Sequence, residues 1–287
     1  MPIHFDIIQT IVEFLDKSRS AISQTHSTSS APAPALTPAT IAASTTCRII
    51  IDDILHANTA NPNTLRYVNA RDDASLLALA KEVLPSLQTR QATLVGYVTQ
   101  AEKGEIRVSD KVKKLWAEKL EATNLILAVL LAAEKPESAL DEQAKANRLA
   151  FFKTARQTWE TNLGGMLTQL NKEMVGAYTL GAQLFLCLWT SFHPFVTGDQ
   201  FSIADLHLAG WLTRVVKLAG GTASDDGNTI VKKLEDHIGV GFKLPRDFVA
   251  DQAKRDGGKD KQSKVAAFWD AVRERPSWRK VYAEGLF

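Results

Sequence analysis

The chain has 287 residues and a formal net charge of +2, with 45% hydrophobic and 23% charged residues. This length suits one large domain or a domain with an appendage, since domains average about 150 residues. The balance of 34 basic and 32 acidic residues leaves no concentrated basic face for phosphate, which argues against a nucleic-acid-binding protein. The two cysteines, Cys47 and Cys187, form no disulfide framework and no metal-binding spacing, and no signal-peptide pattern is present. We therefore expect a reducing compartment, the cytoplasm.

The first predicted element is an amphipathic helix in residues 1–20, where large apolar residues recur every three or four positions. Residues 21–44 are rich in Ser, Thr, Ala and Pro and poor in large apolar groups, which predicts a flexible linker. We expect no membrane span, since the apolar residues 182–198 are too few and too interrupted to cross a membrane as a helix. Thr37 followed by Pro38 predicts the start of the next helix, because threonine caps and proline tolerates the first helical position.

Residues 45–287 read as a succession of helices. A helix ending near Asn58 carries its apolar side chains on one stripe, and these are Cys47, Ile50, Ile51, Ile54 and Leu55. Asp72 and Asp73 suit the start of a further helix, in which Pro85 predicts a kink if the helix runs on to Ala101.

Two more helices follow before the most informative segment. Ser109 opens one that Pro136 stops, with a predicted buried side of Val112, Leu115, Trp116, Leu127, Leu130 and Leu131. Residues 138–141 cap the next, which carries Phe151, Phe152, Trp159 and Leu163. No convincing strand alternation or tight-turn hairpin occurs, so the predicted class is all-α.

The strongest local signal is a capping box formed by Ser202 and Asp205, ahead of an almost uniformly apolar run to Leu218. A helix that is apolar nearly all round belongs at the centre of a bundle, where the cap cannot be replaced by water. An acid–base or metal role for Asp205 with His207 is disfavoured, because positions two apart on a helix do not face each other.

At this point the sequence resembles a known family. Residues 198–206, GDQFSIADL, are similar to the capping-box segment that begins the central helix of the glutathione transferase C-terminal domain. Residues 268–282, with their Arg275-Pro276 step, look like the closing helices of that family. Residues 11–16 are similar to the last helix of its N-terminal thioredoxin-like domain. The resemblance implies a glutathione transferase C-terminal-type helical bundle over residues 45–287, preceded by one residual thioredoxin-domain helix and the linker.

The resemblance also implies what the chain lacks. In the family, the residues that activate and bind glutathione lie mainly in the thioredoxin-like half, most of which has no counterpart here. The positions expected to be an acidic residue and a serine are Ile7 and Ile8. We therefore expect no catalytic, cofactor-binding or metal-binding residues in this chain, and glutathione as a cofactor only if the missing half is supplied.

Residues 182–198 form an apparent insertion relative to the family pattern, which passes from a Leu-Gly step almost directly into the capping box. One hypothesis is a retained intron, because joining Gly181 to Asp199 restores Leu-Gly-Asp-Gln-Phe-Ser, and a late start codon would share that cause. The rival hypothesis is a real hydrophobic loop for a partner or a lipid surface. The Cys187 and His193 of this segment have no orienting carboxylate, so a Cys-His nucleophile is disfavoured.

The remaining candidates favour structural roles. Cys47 lies on a buried stripe and is expected to be inert. In the resembled family, certain helices line the pocket for the hydrophobic substrate. The corresponding helices here carry the ligand-pocket candidates Tyr67, Arg71, Tyr97 and Trp116. The alternative is a structural role, because aromatic residues at helical spacing more often belong to a core.

Two functions remain open. The preferred one is a non-catalytic helical module that binds an apolar small molecule or a protein partner, including a second copy. The alternative is a truncated or incorrectly assembled form of an active glutathione transferase that conjugates glutathione to hydrophobic electrophiles.

Overall fold

The computed structural model describes residues 36–38, 40–174, 194–198, 201–248 and 261–286. These residues contain no β-strand and only two isolated bridges, Phe195 with Gly198 and Phe248 with Gln262, which confirms the all-α class. None of the helices in the described ranges is both long enough and apolar enough to cross a membrane. The predicted helix in residues 1–20 lies outside the described residues.

The bounds of the helices are as follows. The α-helices are α1 (Ile41–Arg48), α2 (Pro62–Tyr67), α3 (Asp73–Glu102), α4 (Asp110–Leu131), α5 (Glu142–Arg156), α6 (Gly164–Glu173), α7 (Ile203–Leu218), α8 (Gly227–Ile238), α9 (Lys264–Arg273) and α10 (Pro276–Val281). Two π-helical segments, Ile49–Leu55 and Gln157–Leu163, continue α1 and α5, and short 3₁₀ helices occupy Asn58–Ala60 and Glu137–Ala139.

The chain divides into two compact units. The first unit comprises residues 1–62 and 162–287, and the second comprises residues 63–161. The sequence analysis predicted one helical domain over residues 45–287. Helical periodicity indicates the apolar face of each helix, but it does not indicate which helices pack together, so it does not predict these two units.

Helix α7 lies at the core of the first unit, as its apolar sequence predicted. Its buried side chains include Leu208, Leu212, Val215 and Val216, each at 0% exposure. It packs against α1, against the π-helical segment that continues α1, and against α8. The predicted stripe on that neighbouring helix is confirmed, since Cys47, Ile50, Ile51, Ile54 and Leu55 are all buried.

The start of α1 differs from the prediction. The helix begins at Ile41, and its cap is Thr40, whose Oγ1 accepts a hydrogen bond from the Ala43 amide at 3.3 Å. Thr37 and Pro38 precede the helix, so the predicted start is wrong by one turn. Thr40 is itself a good cap, and the Ser/Thr/Pro-rich composition offers several equivalent starts that the sequence does not distinguish.

The second unit is built on a hairpin of α3 and α4, against whose inner half α5 packs. Helix α3 runs through Pro85 to Glu102, and it starts with a capping box of Asp72 and Ser75. The outer half of the hairpin, residues 88–122, contains one buried residue, Ala101.

The predicted buried side of α4 is therefore only partly right. Leu127 and Leu130 are buried, but Val112 and Trp116 are half-buried and Leu115 and Leu131 are 47% and 59% exposed. For Val112, Leu115 and Trp116 the reason is geometric: within the described residues, α3 is the helix beside the outer part of α4, and one neighbouring helix does not cover a whole apolar stripe.

Helix α5 is joined to the hairpin by a buried arginine that the sequence analysis did not single out. Arg148 is 5% exposed, and its guanidinium donates to Asp73 Oδ1 at 3.1 Å, to the Lys135 carbonyl at 3.1 Å and to the Ala132 carbonyl. Arg148 thus connects two carbonyl groups just beyond the end of α4 to the Asp73 carboxylate in the first turn of α3. The cap of α5 is Asp141, which accepts from the Ala144 amide at 2.7 Å.

Candidate functional site

The capping box at the start of α7 is a buried polar cluster of the first unit with three hydrogen bonds to one carboxylate. Asp205 has 0% exposure, and its Oδ2 accepts from the Ser202 amide and from the Ser202 hydroxyl, both at 2.7 Å. Its Oδ1 accepts from the Val196 amide at 2.8 Å. Burial raises the pKa of this carboxyl above its usual range, although the hydrogen bonds from Val196 and Ser202 act in the opposite direction.

The third of these bonds comes from the apparent insertion. Residues 182–193 lie outside the described residues, but the end of the insertion, residues 194–198, is described, and Val196 is buried. Because the bond to Asp205 uses a backbone amide, it does not depend on which side chain stands at position 196.

Cys47 contacts the same cluster. Its Sγ donates to Ser202 Oγ at 3.6 Å, and the residue is 3% exposed. Burial raises the pKa of the thiol above its usual value. Because the thiolate is the nucleophilic form, this environment disfavours reactivity, in line with the expected inert core thiol. Cys187 lies outside the described residues.

The structure brings two of the four ligand-pocket candidates together. Tyr97 of α3 and Trp116 of α4 stack with their ring centroids 5.1 Å apart and their planes 24° apart. Tyr97 is 44% exposed and Trp116 is half-buried. Val95 and Leu115, also on the outer half of the hairpin, are 46% and 47% exposed. We call the stacked pair of Tyr97 and Trp116 the Trp116 surface.

The other two candidates lie elsewhere in the second unit. The guanidinium of Arg90 lies 5.8 Å from the ring centroid of Tyr67, a cation–π contact. Arg71 precedes the cap Asp72, whereas Tyr97 lies 25 residues beyond that cap, which is about 37 Å along a helix with a rise of about 1.5 Å per residue. Arg71 and Tyr97 therefore do not line one pocket.

Arg71 belongs to a separate charged cluster. Its Nη1 lies 3.7 Å from Glu160 Oε1, and its carbonyl accepts from Arg156 Nη2 at 3.1 Å. Burial lowers the pKa of this guanidinium, partly offset by the charge of Glu160. A shallow groove of about 420 Å³, lined among others by Lys153, Arg156 and Glu160, lies on this face of α5.

A histidine pair was missed by the sequence analysis. His207 Nδ1 lies 3.1 Å from His56 Nε2, although the two residues are 151 positions apart in the chain. No local pattern predicts such a contact, because it depends on how α7 packs against the segment that ends at His56. His207 thus contacts the imidazole of His56, whereas Asp205 is hydrogen-bonded in the core. The two side chains point to different faces of α7, as expected for positions two apart on a helix. In the described part of the chain, no group of three or more His, Cys, Asp or Glu side chains could hold a metal ion.

A larger groove of about 600 Å³ lies beside the C-terminal helices α9 and α10, and none of the four ligand-pocket candidates is among its lining residues.

No protein-family model, curated protein or solved structure matches this chain in the comparisons with known proteins.

Proposed function

We propose that this chain is a non-catalytic helical module of the glutathione transferase C-terminal type, and that it binds another protein through the Trp116 surface. The family part of this proposal rests on the sequence resemblance. It is supported by the capping box that opens the buried helix α7 and by the proline at the first position of α10. The partner we assign is a second copy of the chain, with the two hairpins in contact.

The observation that carries the proposal is the exposed aromatic stack on the outer half of the hairpin. Tyrosine and tryptophan are enriched in the energetically dominant centres of protein interfaces. Both lie in a stretch of 35 residues, 88–122, in which Ala101 is the one buried residue. An exposed pair of stacked aromatic rings of this kind supports an interaction site.

A protein partner suits this surface better than a small molecule. Small-molecule sites are concave and bury most of the ligand. Tyr97 and Trp116 instead lie on the sides of two adjacent helices, and neither lines the grooves beside α5 or α9 and α10. A second copy is the simplest protein partner, because symmetric dimers that pair one patch with itself are the commonest oligomers.

Sedimentation velocity on the full chain tests this assignment. We expect self-association of the wild type over about 1–200 µM, and a weakening of at least about tenfold in Trp116→Glu, which places a charge at the centre of the contact. Leu149→Glu is the matched control, since Leu149 is a 69% exposed leucine of α5 outside the Trp116 surface. A monomeric wild type over this range, or equal effects of the two substitutions, contradicts the assignment.

The non-catalytic part has its own test. The positions that correspond to the family's glutathione-binding pair, Ile7 and Ile8, lie outside the described residues, so the expectation rests on the sequence. We expect no retention of the chain on immobilised glutathione and no turnover of 1-chloro-2,4-dinitrobenzene with glutathione. Retention together with turnover contradicts the proposal and favours the alternative, a form of an active glutathione transferase.

A further inference from the structure

The largest groove described above lies in the first unit, between the loop that follows α7 and the C-terminal helices. Its volume is about 600 Å³. Three segments of the chain form its walls: the loop at residues 222–224, the end of α9 with α10, and residues 282–285. The lining residues that carry the argument are Thr222, Ser224, Arg273, Trp278, Arg279 and Tyr282. We call it the C-terminal groove.

One wall of the C-terminal groove is an ordered aromatic cluster. The ring centroid of Trp278 lies 5.0 Å from that of Trp269 and 4.4 Å from that of Tyr282. Trp269 Nε1 donates to the Asp225 carbonyl at 2.8 Å, which holds the loop against α9. The Tyr282 hydroxyl lies 3.3 Å from Thr213 Oγ1 of α7. The ring of Tyr282, which is half-buried, is therefore held in place with part of its surface in the groove.

The groove also has cationic donors. Arg273 Nη1 donates to the Ser224 carbonyl at 2.9 Å, which fixes the guanidinium and leaves its other N–H groups available. Arg279 is exposed, and within the described residues its guanidinium has no hydrogen bond or ion pair. The charged residues that line the groove are the two arginines and one glutamate, Glu274.

The nearest aspartate on the loop side is already paired. Asp225 Oδ2 accepts from Lys233 Nζ at 2.7 Å and from the Thr222 amide at 2.8 Å. Its charge is thus compensated within the loop and α8. The Arg273 guanidinium also interacts electrostatically with the carboxylates of Asp226 and Asp270, neither of which lines the groove, so Arg279 is the lining arginine that has no such partner among the described residues. The Thr222 and Ser224 hydroxyls, 3.0 Å apart, add further hydrogen-bonding groups at the same wall.

We propose that the C-terminal groove is a binding site for a small aromatic anion, a ring that carries a phosphate or carboxylate group. The anionic group binds between Arg279 and Arg273, where guanidinium groups form charge-assisted hydrogen bonds with phosphate and carboxylate oxygens. The ring packs against Tyr282, whose own ring is backed by the buried Trp278, and this provides the apolar contact that an inorganic ion lacks.

Isothermal titration calorimetry of the full chain with phenyl phosphate at low salt tests the proposal. We expect a Kd of about 0.1–1 mM, and much weaker binding of both inorganic phosphate and phenol, because each lacks one of the two recognition elements. Arg279→Gln should weaken phenyl phosphate binding at least about tenfold.

The matched control is Lys280→Gln, which removes the same charge from the adjacent exposed residue of α10 but does not line the groove. It should weaken binding less than about twofold. Two results each overturn the proposal: no binding of phenyl phosphate at millimolar concentration, or equal weakening by the two substitutions, which would indicate diffuse surface charge. Phosphate binding as tight as that of phenyl phosphate overturns the aromatic specificity, and phenol binding as tight overturns the anion specificity.

Discussion

Asp72 and Asp205 belong to two capping boxes in opposite surroundings, Asp72 as the cap of α3 and Asp205 as the third residue of α7. Asp72 is exposed, and its Oδ1 accepts from the Ser75 amide at 2.8 Å. Asp205 is fully buried, and its carboxylate pairs two amides and a hydroxyl in the core. The sequence predicted the box at Ser202 and Asp205 and an acidic helix start at Asp72, but the difference in burial depends on the packing around α7, which a local motif does not contain.

This difference predicts unequal losses of stability. Asp205→Ala leaves the Val196 and Ser202 amides without an acceptor in the core and removes the acceptor of the Ser202 hydroxyl, and we expect the free energy of unfolding to fall by about 3 kcal/mol or more. Asp72→Ala removes an exposed cap that water replaces in part, with an expected loss of about 1 kcal/mol. Urea denaturation of both variants measures the two losses, and a loss at Asp205 no larger than that at Asp72 would contradict the account.

The two carboxyls also predict opposite pH dependences. Burial raises the folded-state pKa of Asp205 above 3.8, so its stabilising contribution is fully present below that pH and is lost as the pH rises through the raised pKa. The hydrogen bonds from Ser75 lower the folded-state pKa of Asp72 below 3.8, so its contribution is present above that pH and is lost as the pH falls through the lowered pKa.

The comparison with asparagine variants makes this measurable. As the pH falls from about 7 to about 3, the stability advantage of the wild type over Asp205→Asn should grow, whereas its advantage over Asp72→Asn should shrink. Denaturation curves at a series of pH values decide the matter. Parallel trends for the two variants would show that the two capping boxes do not differ in this way.

At the scale of elements, α8 begins in close contact with α9. A Cβ atom added to Gly227 would lie 2.1 Å from the Ala266 carbonyl oxygen, a backbone atom that has no rotamer to change. The Gly227 amide also donates to Asp270 Oδ1 at 2.8 Å. Glycine is required at this position because the backbones of α8 and α9 approach each other closely. The sequence does not predict this requirement, since a glycine after a capping aspartate is typical of an ordinary helix start.

Gly227→Ala should therefore lower the free energy of unfolding by at least about 2 kcal/mol, because α8 and α9 must separate to admit the methyl group. Gly210→Ala is the matched control: it lies within α7 and a Cβ atom there meets no atom within 4 Å, so the substitution should stabilise the chain by about 0.5–1 kcal/mol. Thermal unfolding of the two variants should give shifts of opposite sign, and a neutral Gly227→Ala would refute the tight contact.

For the whole molecule, the sequence predicted the class and the buried centre better than the surface. The stripe that includes Cys47 and the apolar helix opened by Ser202 were both predicted, because a strong helical period defines a buried face without knowledge of the neighbours. The exposure of Leu115 and Trp116 was not predicted, because it depends on which helices pack beside the outer hairpin, and the periodicity of one helix does not contain that information. The His56 and His207 contact and the walls of the C-terminal groove join distant segments, so no spacing in the sequence predicts them.

The central claim is that the Trp116 surface is where this chain meets its partner, a second copy of itself. Amide hydrogen exchange of the full chain at about 1 µM and about 100 µM tests it most directly, because association slows exchange where the contact forms. The account predicts that the higher concentration slows exchange within residues 88–122 and that Trp116→Glu abolishes this slowing. Concentration-dependent protection confined to other segments, or none at all in the wild type, would contradict it.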